Sequence, residues 1–252
     1  MKNPTKKNQG FTLIELLTVI TIIGILFGLA FKAGDVALTA GAKAKEKSNM
    51  RNILQAYKSY HDSNGGITEN IEEEEMVDDT DPDEPAYGQG TNHDWAGVLA
   101  EENAEMNDAS IYMLKRDKFA KKENRKHKAR NILDPDADED NPKLDEDFKN
   151  SILCFNMFAG LEASDDFGAS RTPAIYTAGL NEEGKWLKKA PHGPSGGHIG
   201  YMDTHVVAYK KIDEKEFVKH DDIREETLRL SEAVYGVALG HRGEDDFTGE
   251  RE

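Results

Sequence analysis

The chain has 252 residues, 37% of them hydrophobic and 32% charged, with a formal net charge of −16. Acidity on that scale argues against nucleic acid as a partner of the whole chain, and it suits an extracytoplasmic surface or cation binding. Cys154 is the single cysteine, which excludes an internal disulfide; in the run Ile152-Leu153-Cys154-Phe155 it is expected as a small buried apolar residue.

Residues 1–10 carry Lys2, Lys6 and Lys7 and run into an apolar stretch over 11–31, in which Glu15 is the only charge. As a helix at about 1.5 Å per residue that stretch spans roughly 30 Å, the thickness of a bilayer's hydrocarbon core. Cations before the helix and acid after it place the N-terminus in the cytoplasm and the bulk outside. A carboxylate at that depth is costly, so Glu15 is expected to act and to need a cationic partner.

No proline occurs from Thr5 through Asp81, and the pattern predicts a helix from Phe11 to about His61, roughly 75 Å long. Met50, Ile53, Leu54, Tyr57 and His61 fall on one face of its second half. Asp62-Ser63-Asn64-Gly65-Gly66 stops it. An acidic run over 69–84 reads as a solvated loop, helped by Pro82 and Pro85. A second helical region is expected from about Asp94, with Trp95, Val98 and Leu99 and then Ile111, Met113 and Leu114 as apolar contacts. Residues 115–130 are basic and read as a solvated helix face or loop, with anionic lipid, a polymer or a neighbour's acidic loops as the alternative contacts.

Over 134–147, Asp134, Asp136, Asp138 and Asp140 alternate, and Asp145 falls eleven after Asp134. Oxygens at positions 1, 3, 5, 7 and 12 are the spacing of a calcium loop, so these five residues are candidate calcium ligands. Glu139 stands where the sharp-turn glycine belongs, and a solvated acidic loop is the competing reading.

The rest of the chain reads mainly as β. Strands are expected over 151–159 and 172–177, and over 198–202 and 205–209 flanking Asp203-Thr204 as a hairpin. Threonine at positive φ is costly, so a loop wider than two residues is expected there. Residues 221–239 read as helix, with a frayed tail beyond. His192, His198, His205 and Asp203 form the densest polar cluster and could supply metal ligands, although their spacing matches no metal motif. Ser195 lies beside the histidines without a nucleophile-elbow pattern, and no phosphate loop, dinucleotide fingerprint or HExxH occurs, so no enzyme is expected.

The order Gly10-Phe11-Thr12-Leu13-Ile14-Glu15-Leu16 closely resembles the processing motif of type IV prepilins and pseudopilins. The resemblance implies cleavage by a prepilin peptidase between Gly10 and Phe11, N-methylation of the new Phe11 amine, and a role for Glu15 in assembly opposite a neighbour's amine. It covers about a tenth of the chain. The segment from Arg171 through Thr204 also resembles a C-terminal element of some pilin-like proteins, a histidine followed after nine residues by Asp-Gly. Here ten residues separate His192 from Asp203, and Thr204 replaces the glycine. Many pilins also carry a kinking proline in the helix, which this chain lacks; Gly24, Gly28 and Gly34 could loosen it instead.

Residues and resemblance together give an α+β, pilin-like fold, a long N-terminal helix packed on a small antiparallel sheet. The expected division is a leader at 1–10, a transmembrane helix at 11–31, its amphipathic continuation at 32–62, a globular domain at 63–220 and a C-terminal helix and tail at 221–252. The implied function is a structural subunit of a type II secretion pseudopilus or type IV pilus in the bacterial inner membrane. Its implied partners are the peptidase, other pilin or pseudopilin subunits, the inner-membrane assembly platform and membrane lipid. The alternative is a membrane-anchored extracytoplasmic protein that binds calcium or another ligand and does not polymerise.

Overall fold

The computed structural model describes residues 11–64, 91–115, 117, 119–121, 124–138, 142–159, 161, 168–213, 216–219, 225–234 and 237–238; within α1, side chains at 29, 30, 32, 33 and 35 are not described. The acidic run over 69–84 lies outside these residues. The chain divides into two compact units, 1–41 and 42–252. The boundary between the units falls inside the long helix, where one of its faces becomes buried.

Helix α1 runs Leu13–Asn64, close to its expected ends. A capping box opens it. The Glu15 N–H donates to Thr12 Oγ1 at 3.3 Å, and the carboxylate of Glu15 accepts from the Thr12 N–H at 2.8 Å. In the first unit, every large apolar side chain described is exposed, from Phe11 to Leu38; among all described residues, no large apolar side chain outside that stretch is. Among the described residues no helix is long and apolar enough to cross a membrane.

In the second unit, Glu46, Asn49, Met50, Ile53, Leu54, Ala56, Tyr57 and Tyr60 are buried, a stripe at helical spacing. His61, expected on that face, is only half-buried. The stripe lies on a sheet of β1 (Phe155–Ala159), β2 (Pro173–Thr177), β3 (Gly197–Tyr201), β4 (Val206–Tyr209) and a two-residue edge strand at Val237–Ala238. The order is β4-β3-β2-β1 with 237–238 beyond β1, antiparallel at each pair. β1, β2 and β3 are buried almost throughout, as strands covered on both faces must be. Helix and sheet approach closely at Gly200, where a Cβ would stand 2.5 Å from Leu54 Cδ1 and 2.8 Å from Ile175 Cγ2. Tyr57 Oη completes the contact by donating to the Phe158 carbonyl at 2.9 Å.

Helix α2 (Asn92–Glu102) begins at a second capping box, Thr91 with Asp94, and buries Trp95, Val98 and Leu99 as expected. Beyond it the backbone breaks into 3-10 turns at Ala104–Met106 and Ala109–Ile111, each capped by the side chain before it, Asn103 and Asp108. The described part of the basic segment is turns and not helix, and it is pinned from inside. Buried Asp117 accepts from the Phe119 and Ala120 N–H groups, and Asn124 accepts from the Ile152 N–H and donates to the Ile152 carbonyl. Cys154 is buried, as expected, with Sγ donating to the Tyr112 carbonyl at 2.8 Å.

One expectation changes. The helix expected over 221–239 is not formed among the described residues: Glu226–Thr227 pairs with Phe217–Val218, a 3-10 turn follows at Leu230–Glu232, and 237–238 joins the sheet. Thr227 Oγ1 takes the Arg229 N–H that a helix would use, and strand pairing takes Glu226–Thr227 and 237–238. The hairpin loop between β3 and β4 spans 202–205, wider than two residues as expected, and Thr204 still takes φ 71°, alone among the non-glycine residues described.

Candidate functional site

Two regions carry chemistry. The first is the N-terminal motif. Phe11 is exposed, and Glu15 accepts from the Thr12 hydroxyl at 2.6 Å as well as from its N–H. Glu15 thus sits at the N-terminus of α1, within one turn of Phe11, where backbone N–H groups favour negative charge. Gly10 lies outside the described residues.

The second region came from no single motif. Glu46 stands at the head of the apolar stripe of α1, four residues before Met50, fully buried. His192 precedes the 3-10 turn at Gly193–Ser195, and His198 lies in β3. The His192 Nε2 group hydrogen-bonds the Glu46 carboxylate, and His198 Nδ1 lies 3.3 Å from Glu46 Oε2. Thr177 on β2 donates from Oγ1 to Glu46 Oε1 and accepts the His198 N–H at 2.8 Å. The two rings are nearly perpendicular, centroids 6.4 Å apart. Lys43, one turn earlier on α1, donates Nζ to the Ser195 carbonyl at 2.7 Å and holds the 192–198 loop against the helix.

That loop can return His192 and His198 to one carboxylate because of its glycines. Gly196 adopts φ 96°, and a Cβ there would stand 2.0 Å from the Tyr209 carbonyl oxygen. Only glycine fits.

Burial raises the Glu46 carboxyl, but hydrogen bonding by His192, the polar contact with His198 and the charge of both rings outweigh it and hold the group down to about 2. A carboxylate in a dry core persists only when paired. Glu46, His192 and His198 bring their ligand-type atoms within 4.8 Å of one another, the one such group among the described residues.

The sequence-derived cluster is therefore divided. His205 leaves it for the loop, paired with Asp203 and stacked on Tyr201 at 4.2 Å. The acid that completes the site, Glu46, was missed, because a lone glutamate on a lysine-rich helix reads as solvated. Its signal was its position on the buried face. Among the calcium candidates, Asp145 caps a short helix, α3 (Glu146–Lys149), by accepting the Phe148 N–H, and Asp134 accepts the Asp136 N–H. Asp138 is exposed and Asp140 lies outside the described residues; the described candidates form no ligand-type group.

Residues 5–31 match the family model of the prokaryotic N-terminal methylation motif. The chain thus carries the signature of type IV pilins and pseudopilins, on a helix-and-sheet fold of the α+β, pilin-like kind. The match ends at residue 31 and does not reach the segment around 192–204. Neither curated proteins nor solved structures give a match to the chain.

Proposed function

We propose that this protein is a pilin-like structural subunit of a type II secretion pseudopilus or type IV pilus. The observation that carries the reading is the methylation motif over 5–31, with Gly10-Phe11 as the scissile pair and Glu15 behind it. A prepilin peptidase cuts after Gly10, the Phe11 amine is methylated, and the subunit waits in the inner membrane, N-terminus cytoplasmic and globular domain outside. The apolar side chains exposed from Phe11 to Leu38 support an anchor in lipid, since a surface of that kind is not left to water.

Assembly exchanges lipid for neighbouring helices around α1. Among the described residues Glu15 is bonded by Thr12 alone, which uses up few of a carboxylate's acceptor sites. A neighbour's amine entering the filament supplies a full counter-charge in a low-dielectric core, and that sets axial register. The partners on this reading are the peptidase, sister subunits and the assembly platform, and the role is structural, with no reaction catalysed.

The intact mass and N-terminal sequence of the membrane-extracted protein from its host test this. A chain beginning at N-methylated Phe11 is the expected result. A chain still beginning at Met1 overturns it and leaves an uncleaved anchor.

A further inference from the structure

We propose that Glu46, His192 and His198 form a structural metal site for a divalent transition cation, zinc by donor type, that pins α1 to the sheet of the globular unit. The three come from the helix, the 192–198 loop and β3, so one ion would tie together the elements on which the core depends.

The donor set is two imidazoles and a carboxylate, which zinc takes readily and the hard cations do not, since calcium and magnesium prefer all-oxygen cages. The geometry agrees for the Glu46–His198 pair, whereas His192 Nε2, which hydrogen-bonds the same oxygen, would draw back to admit the ion. Ligand atoms about 2.0–2.1 Å from zinc lie roughly 3.3–3.4 Å apart at the corners of a tetrahedron. Glu46 Oε2 and His198 Nδ1 are 3.3 Å apart, and all three ligand atoms fall within 4.8 Å of one another.

A second observation points to the same place. His198 Nδ1 is buried and has no hydrogen-bond partner, although it faces the carboxylate. Buried imidazole nitrogens left without a bond are costly, and a cation between the ring and Oε2 would satisfy this one. The outer shell is also present. Thr177 Oγ1 holds Glu46 Oε1, which leaves Oε2 turned toward the two rings, and its bond to the His198 N–H fixes the backbone that carries the ring. The side chains of Glu46, His192 and His198 are 0%, 2% and 4% exposed. Substrate has no approach to such a site, and its role is to hold the fold. This inference is independent of N-terminal processing.

The test is a titration of the full chain in detergent, stripped of metal with a chelator, with Co2+ and then Zn2+. Expected are one Co2+ per chain with the visible absorption of a four-coordinate site, three protein ligands and one water, its displacement by Zn2+, and a rise in melting temperature with Zn2+. Glu46→Gln and His198→Ala lose the absorption, whereas His205→Ala keeps it. A wild-type chain that shows neither the absorption nor the rise overturns the proposal without recourse to any variant. So does a Glu46→Gln chain that binds Co2+ like wild type, because the metal would then sit on surface histidines.

Discussion

The Glu46 carboxylate and the His198 ring, one on the first helix and the other on the third strand, lie 3.3 Å apart in a core that excludes water from both. A buried acid facing two imidazoles makes the union of α1 with the sheet electrostatic as well as apolar. Such a contact is specific in register, since sliding the helix by one residue would strand a charge in the core.

That pairing gives the fold an acid limit. The folded Glu46 group is held down to about 2 against a usual value of 4.5. A depressed acid contributes stability that is complete above its unfolded value and is lost as pH falls through the folded one. Melting temperature should therefore fall between about pH 5 and pH 2, and Glu46→Gln should flatten that fall while lowering stability at pH 7. Thermal unfolding of both chains across that range checks it. Parallel pH slopes for the two would count against the pairing.

Helix and sheet pack closely at Gly200. A methyl there must displace Leu54 and Ile175, both in the core, and Gly200→Ala is expected to destabilise the globular unit by about 1–3 kcal/mol. Denaturant unfolding reads the change as a lower midpoint at unchanged slope.

Thr204 holds a backbone conformation that suits glycine, φ 71°, in the turn between β3 and β4. Thr204→Gly relieves that strain against a more flexible unfolded chain, for a net gain of about 1 kcal/mol. A rise in melting temperature of a few degrees is the expected readout. No rise would mean that the Asp203 carboxylate, which accepts the His205 N–H at 3.2 Å, already stabilises the turn enough to offset the strain.

Glu15 is exposed in the single chain and lies far along the sequence from the core, so Glu15→Lys should leave the globular unit folded. On the proposed function it should also abolish incorporation into filaments, because two cations would face each other in the assembly. Fractionation of sheared filaments against membranes measures both effects. Incorporation at the wild-type level would remove Glu15 from the assembly mechanism.

Sequence alone determined the elements whose signals are local. The N-terminal motif and α1 with its ends were legible because helix periodicity and a Gly-Phe junction need only neighbouring residues, and the four main strands were bounded by turn chemistry. The same local reading placed a helix over 221–239, where single-residue propensity is outweighed by strand partners at 217–218 and 158–159. Tertiary structure alone decided the site. Glu46 looks like one more charge on a lysine-rich helix until the sheet arrives to bury it, and the three histidines look like one cluster until the hairpin sends His205 outward. A charge becomes functional through what surrounds it, and its surroundings here are contributed by residues distant in the chain, which no local pattern records.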